Sequence, residues 1–133
     1  MNSSTNLTGN LTRDPELKFL DSGTVVARFT VAVSEKRKDR NGVETETTSF
    51  FDCDAIGSIA QNIGDSLRKG DRVVVCGNFK QRTWDDKETG QKRSAMELKV
   101  ESCGPDLRFS TATQNRNNDS RPSTARFMNE DAF

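Results

Sequence analysis

Three runs of the chain carry aromatic and charged side chains where a half-buried strand has no use for them. In "KQRTW", alternation puts Lys80, Arg82 and Trp84 on one side and Phe79 on the other. Phe79 continues the inward series Val73, Val75, Gly77, so the single tryptophan points the same way as two cations. In "SFFDCDAI", Phe51, Cys53 and Ala55 form the inward set and leave Phe50, Asp52, Asp54 and Ile56 facing outward. The run Lys36, Arg37, Lys38, Arg40 adds a cluster of positive charge in what reads as a loop. Cations interleaved with flat rings suit a single strand of nucleic acid, whose phosphates need neutralising and whose bases offer π-faces. Plainer readings stand beside this one. Trp84 can pack under the neighbouring loop or at a subunit contact, Phe50 can face another subunit, and charge runs are commonly solvated surface. Asp52 and Asp54 argue the opposite way, because carboxylates repel phosphates, and a pairing with Arg28 across the hairpin is their one accommodation.

Other chemistries lack their parts. The chain has no histidine, which removes the usual general base and any Ser-His-Asp arrangement. Cys53, Cys76 and Cys103 are far apart, without a CxxC spacing, and sit in strand-like segments where a thiol packs as a small hydrophobe. No metal or other cofactor is therefore expected. A magnesium nuclease built on Asp52 and Asp54 would lack an accompanying base. With 20 basic and 20 acidic residues, net charge is zero, so any electropositive surface must come from local segregation. No apolar run suits a signal peptide or a membrane span, which points to the cytoplasm and makes the sequons at Asn2, Asn6 and Asn10 chance matches.

These side chains need elements to hold them. Residues 24–34, "TVVARFTVAVS", alternate cleanly, as a half-buried strand does. An earlier long strand runs through "NLTGNL" and, after the turn at Asp14-Pro15, through "ELKFL". After a charged loop with Asn41-Gly42, a short hairpin signal, the chain returns through "TSFFDCDAI". "GSIAQNIGDSLRKG" spaces Ile56, Ile59, Ala60, Ile63 and Leu67 as a helix does, with Ser58 as its cap and Gly70 after its end. "RVVVCGNFKQRTW" and "SAMELKVES" form a last hairpin around the polar loop "DDKETGQKR". Five strands with one helix between the third and fourth is the order of an OB-fold, an all-β Greek-key barrel.

The same residues carry a family resemblance. "TGNLTRDPELKF", "ARFTVAVSE", "SLRKGDRVVVCGNFKQRTW" and "GQKRSAMEL" resemble the bacterial single-stranded DNA-binding protein (SSB) family, and "VESCGPDLRFSTA" is most similar to its actinobacterial branch. The likeness covers about residues 5–112. It implies an OB-fold homotetramer that wraps single-stranded DNA in the nucleoid and has no catalytic activity. Position by position, the family's stacking aromatics fall on Phe50 and Trp84, with two further stacking positions on Ile56 and Arg37. Arg28, Lys80, Arg82 and Arg93 match positions that touch the DNA backbone, and Lys36 and Lys38 of the basic run join them. The alternative on the same fold is a primosome or recombination accessory protein that works mainly through protein contacts.

The resemblance divides the chain into a DNA-binding domain, residues 1–109, and a tail, residues 110–133. Residues 110–126 contain no large apolar side chain and should stay disordered, a tether of roughly 20–25 Å. "MNEDAF" follows. In the family an acidic tip with a closing phenylalanine docks onto replication, recombination and repair proteins, which assigns partner binding to Glu130, Asp131, Ala132 and Phe133. Ala132 stands where the family has proline and the acidic run is short, a departure that fits a short-tailed paralogue or a phage-borne copy.

Overall fold

The computed structural model describes residues 4–117; the tip at residues 130–133 and Asn2 lie outside them. Six strand segments and one helix follow in order: β1 Thr5–Leu11, β2 Glu16–Phe19, β3 Val25–Lys38, β4 Glu44–Ile56, α1 Ser58–Ser66, β5 Arg72–Asp85 and β6 Lys92–Pro105. The opening strand is divided into β1 and β2 around the expected turn at Asp14-Pro15. Pro15 has no N–H for a ladder, and Asp14 turns its carboxylate to accept the Lys69 amide at 2.8 Å. β1 then pairs with β5, β2 pairs with β3, and a short β1–β3 contact at Asn10 and Leu11 closes the sheet. The result is a closed five-strand barrel with one helix, as an OB-fold requires.

Its interior comes from the inward half of each alternating strand. Ala27, Phe29 and Val31 of β3 and Cys53 and Ala55 of β4 are buried with Val73, Val75 and Leu98 from the other hairpin. Ala60, Ile63 and Leu67 add the apolar side of α1, which packs against β2, β3, β4 and β6. Ile56, expected on that helical stripe, ends β4 instead and points outward. Ser58 does not cap the helix. Gly57 occupies the N-cap at φ 95°, where its amide bonds the Val25 carbonyl at 2.8 Å and no side chain caps. All three cysteines are free thiols that pack, and burial pushes Cys53 up to about 12 and Cys103 up to about 11.

Both hairpins extend further than their composition suggests. β3 continues through Lys38 and β4 resumes at Glu44, so Lys36, Arg37 and Lys38 are strand residues and only Arg40 lies in the turn. The turn spans 39–43, with Asp39 accepting the amides of Asn41 and Val43 at 2.9 Å and only Gly42 at positive φ. Likewise Lys92 and Arg93 belong to β6, and the second turn shrinks to 86–91.

One residue shows how tightly the barrel closes. At the bulge between Cys76 and Gly77, the strand comes so near β6 that a Cβ on Gly77 would collide with the Lys99 carbonyl. Gly77→Ala is expected to cost about 1–3 kcal/mol, as overpacking does. Gly104→Ala, whose Cβ meets nothing, should be close to neutral. Urea unfolding of the two variants checks this; equal stabilities would refute the close-approach argument.

Candidate functional site

Strand register collects the outward residues onto one surface. On the β5–β6 hairpin, Lys80 lies opposite Glu97, Arg82 opposite Ala95 and Trp84 opposite Arg93. On the β3–β4 hairpin, Arg28 lies opposite Asp54, Thr30 opposite Asp52 and Ala32 opposite Phe50. A short parallel contact, Asp52 beside Glu97 and Asp54 beside Lys99, joins the two sets. Phe50, Ile56 and Trp84 are 65%, 59% and 41% exposed, large apolar area that the barrel does not use. Arg28, Lys80, Arg82 and Arg93 share this surface, and Lys36 and Lys38 continue its side of the β3–β4 hairpin. Arg37 does not. It falls on the alternate side of the ribbon, opposite Thr45, with its guanidinium 3.6 Å from Glu35.

Charge on this surface is sorted into mated and free groups. The pairing expected between Arg28 and the aspartates is absent, although Arg28 stands directly across from Asp54. Asp54 instead takes Lys99 Nζ at 2.7 Å, because the parallel contact delivers that ammonium from β6. Lys99 also reaches Glu97 at 3.4 Å, and Arg82 Nε meets the other Glu97 oxygen at 2.8 Å. The hydrogen bond with Asp54, and then its charge, hold the Lys99 ammonium above its ordinary pKa against the opposing pull of burial. Asp52 accepts the Thr30 hydroxyl at 2.9 Å. Arg93 Nε is 3.2 Å from Asp86, and Lys38 is 3.8 Å from Glu44. Among the described residues, Arg28, Lys36 and Lys80 form no ion pair, nor does Arg13 at the adjoining cleft, and these cations are free to meet an anion.

Of the carboxylates that oppose phosphate binding, Asp54 is thus answered by an ammonium, while Asp52 keeps its charge with only a hydroxyl as donor. They line a cleft of about 220 Å³ together with Glu16, Glu97, Arg13, Arg28 and Arg82. Lys99 occupies Asp54 Oδ2, so the charge of that carboxylate is already met by an ammonium. Sequence reasoning missed Glu97 and Lys99. Their only signal was the outward parity of two charges in "MELKV", indistinguishable there from ordinary solvated surface. It also missed Phe109, which lies under two guanidinium groups, Arg72 at 5.5 Å and Arg108 at 5.2 Å.

Comparison with known proteins points to one family. The single-strand binding protein family model matches residues 2–110. The single-stranded DNA-binding protein of Mycolicibacterium smegmatis is 43% identical over 110 residues, 81% of this chain and 66% of that protein. That of Paenarthrobacter aurescens is 44% identical, covering 81% of this chain and 64% of its own length. That of Mycobacterium tuberculosis strain H37Rv is 42% identical over 112 residues, or 83% and 68%. The chain thus spans about two thirds of the length of the relatives it matches.

The buried pairing yields a stability test. Lys99→Met is expected to cost about 1–3 kcal/mol at neutral pH, since Asp54 keeps its burial and loses its donor. A raised lysine pKa gives stability that is complete below the unfolded value and is lost as pH climbs through the folded one. The gap between variant and wild type should therefore narrow above 10.5, the ordinary value. Urea unfolding from pH 7 to 11 reads the difference, and a gap that stays constant would contradict the pairing.

Proposed function

The chain belongs to the single-strand binding protein family, and from that premise we propose that it binds and protects single-stranded DNA without regard to sequence. The observation that carries this reading is the shared exposure of Phe50 and Trp84 on one surface, flanked by unpaired Arg28, Lys36 and Lys80. Bases unstack from one another and lie on the rings, while the cations neutralise the phosphates between them. Ile56 adds an apolar contact to a base, and Arg93 supplements the cations when it exchanges Asp86 for phosphate. Binding of this kind reads no base edge, so it is indifferent to sequence. The protein acts by occupancy and performs no bond chemistry.

The proposal extends to the whole chain. Residues 1–109 act as the DNA-binding domain, assembled as a homotetramer in the cytoplasm. Residues 110–133 act as a tether that presents Glu130, Asp131, Ala132 and Phe133 to proteins of replication, recombination and repair. The resemblance of those residues to the family's tip supports this, and so does the mechanism: a ring fills an apolar pocket while nearby carboxylates attract a basic rim.

Two measurements test these roles. Trp84→Ala and Phe50→Ala should each weaken oligo-dT binding by about 1–3 kcal/mol, with a salt slope of about −0.7 per phosphate neutralised in the wild type. If both variants keep wild-type affinity, the stacking roles are wrong. Deleting residues 128–133 should leave oligo-dT affinity intact or slightly tighter, because negative charge no longer competes for the cations. The same deletion should abolish pull-down of partner enzymes; retained partners would place the protein contact on the barrel.

A further inference from the structure

Arg82 differs from its neighbours in what already surrounds it. Its guanidinium carbon lies 4.8 Å from the centre of the Trp84 ring, two residues along the same side of β5. Its Nε is fixed at 2.8 Å by Glu97, whose side chain is only 11% exposed. Glu97 in turn is held by Lys99 at 3.4 Å, and Lys99 by buried Asp54 at 2.7 Å. An unbroken run of charge–charge contacts therefore leads from the barrel wall to the only indole of the chain. Lys80 makes the contrast. It faces the same way from the same strand and lies directly across from Glu97, yet it forms no ion pair among the described residues.

We infer that Arg82 and Glu97 are positioning residues for Trp84: Glu97 clamps the guanidinium, and the guanidinium braces one face of the indole so that a base stacks on the other. The inference rests on the single-strand reading above and reassigns Arg82 from phosphate contact to ring support. The physical reasons are two. A planar guanidinium stacks on an aromatic face and keeps its in-plane donors for a carboxylate, which an ammonium cannot do at once. Moving Arg82 to a phosphate would strip a nearly buried carboxylate of its best partner, a loss the phosphate must first offset. A braced ring is ordered before DNA arrives, so the cost of immobilising it is not charged against binding.

Three variants separate ring support from phosphate contact, read by oligo-dT titration of Trp84 fluorescence over a salt series and by anisotropy decay of the free protein. Arg82→Lys keeps the charge and loses the planar brace. It should weaken binding roughly two- to tenfold, leave the slope of log K against log salt unchanged, and free the indole to reorient in the unbound protein. Glu97→Gln removes a negative charge from a DNA-facing surface, so simple electrostatics predicts tighter binding; release of the clamp predicts weaker binding. Lys80→Met, the comparison, should flatten the salt slope by about 0.7 and leave the indole as rigid as before. Wild-type affinity in Arg82→Lys, tighter binding in Glu97→Gln, or an indole equally rigid in all three would overturn the inference. Absence of any salt-dependent quench in the wild type would instead remove the single-strand reading, while the anisotropy decay still judges the brace.

Discussion

Three rungs of parallel pairing hold this molecule's two halves in register: Asp52 beside Glu97, Cys53 beside Leu98, and Asp54 beside Lys99. The middle rung faces inward, where Cys53 and Leu98 are almost wholly removed from water. The outer rungs face the other way and bring an acid-rich strand against Lys99. Without that ammonium, Asp54 and Glu97 would be two nearly buried carboxylates on adjacent strands, an arrangement that costs far more than either alone. The contact therefore does two things at once. It seals the barrel below, and above it fixes the relative position of Phe50 on one hairpin and Trp84 on the other.

The local electrostatics follow from the same contact. A chain with zero net charge can still offer a positive surface if its acids are consumed internally. Here Asp54 is taken by Lys99, Glu97 by Arg82 and Lys99, and Asp52 accepts from Thr30. What is left over on that side, among the described residues, is Arg28, Lys36 and Lys80 beside Asp52, whose charge a hydroxyl does not cancel, and Glu46 across from Lys36. Counting residues hides this; tracing hydrogen bonds uncovers it.

Much of this could be read from the chain alone, and the exceptions have definite causes. Period two in residues 24–34, 50–56 and 80–84 was enough to sort inward from outward residues, because one side of each strand must be dry. Lys36, Arg37, Lys38, Glu44 and Glu46 have the composition of a loop, which hides how far the hairpin arms extend. Paired across the ladder, Lys36 opposite Glu46 and Lys38 opposite Glu44, they are opposite-charge cross-strand neighbours that favour strand. Family position sets Arg37 among the stacking residues, and only the register shows which side of the ribbon it takes. The Asp54–Lys99 pair was illegible for a simpler reason: it joins residues 45 apart through a parallel contact that no local pattern announces. Ser58 is a reasonable cap by type, but the N-cap is Gly57, at positive φ with its amide on the Val25 carbonyl, so the helix starts one residue earlier.

The β3–β4 arm beyond the barrel is a plain antiparallel ribbon, unbulged from Val26–Ile56 out to Lys38–Glu44. Such a ribbon is quantised. Its length can change by two residues per strand and every side chain beyond the change keeps its orientation, so related chains can vary this arm's reach in even steps. A single-residue insertion in each strand would exchange the two sides of everything distal to it, lifting Arg37 into the place of its lysine neighbours and turning them away.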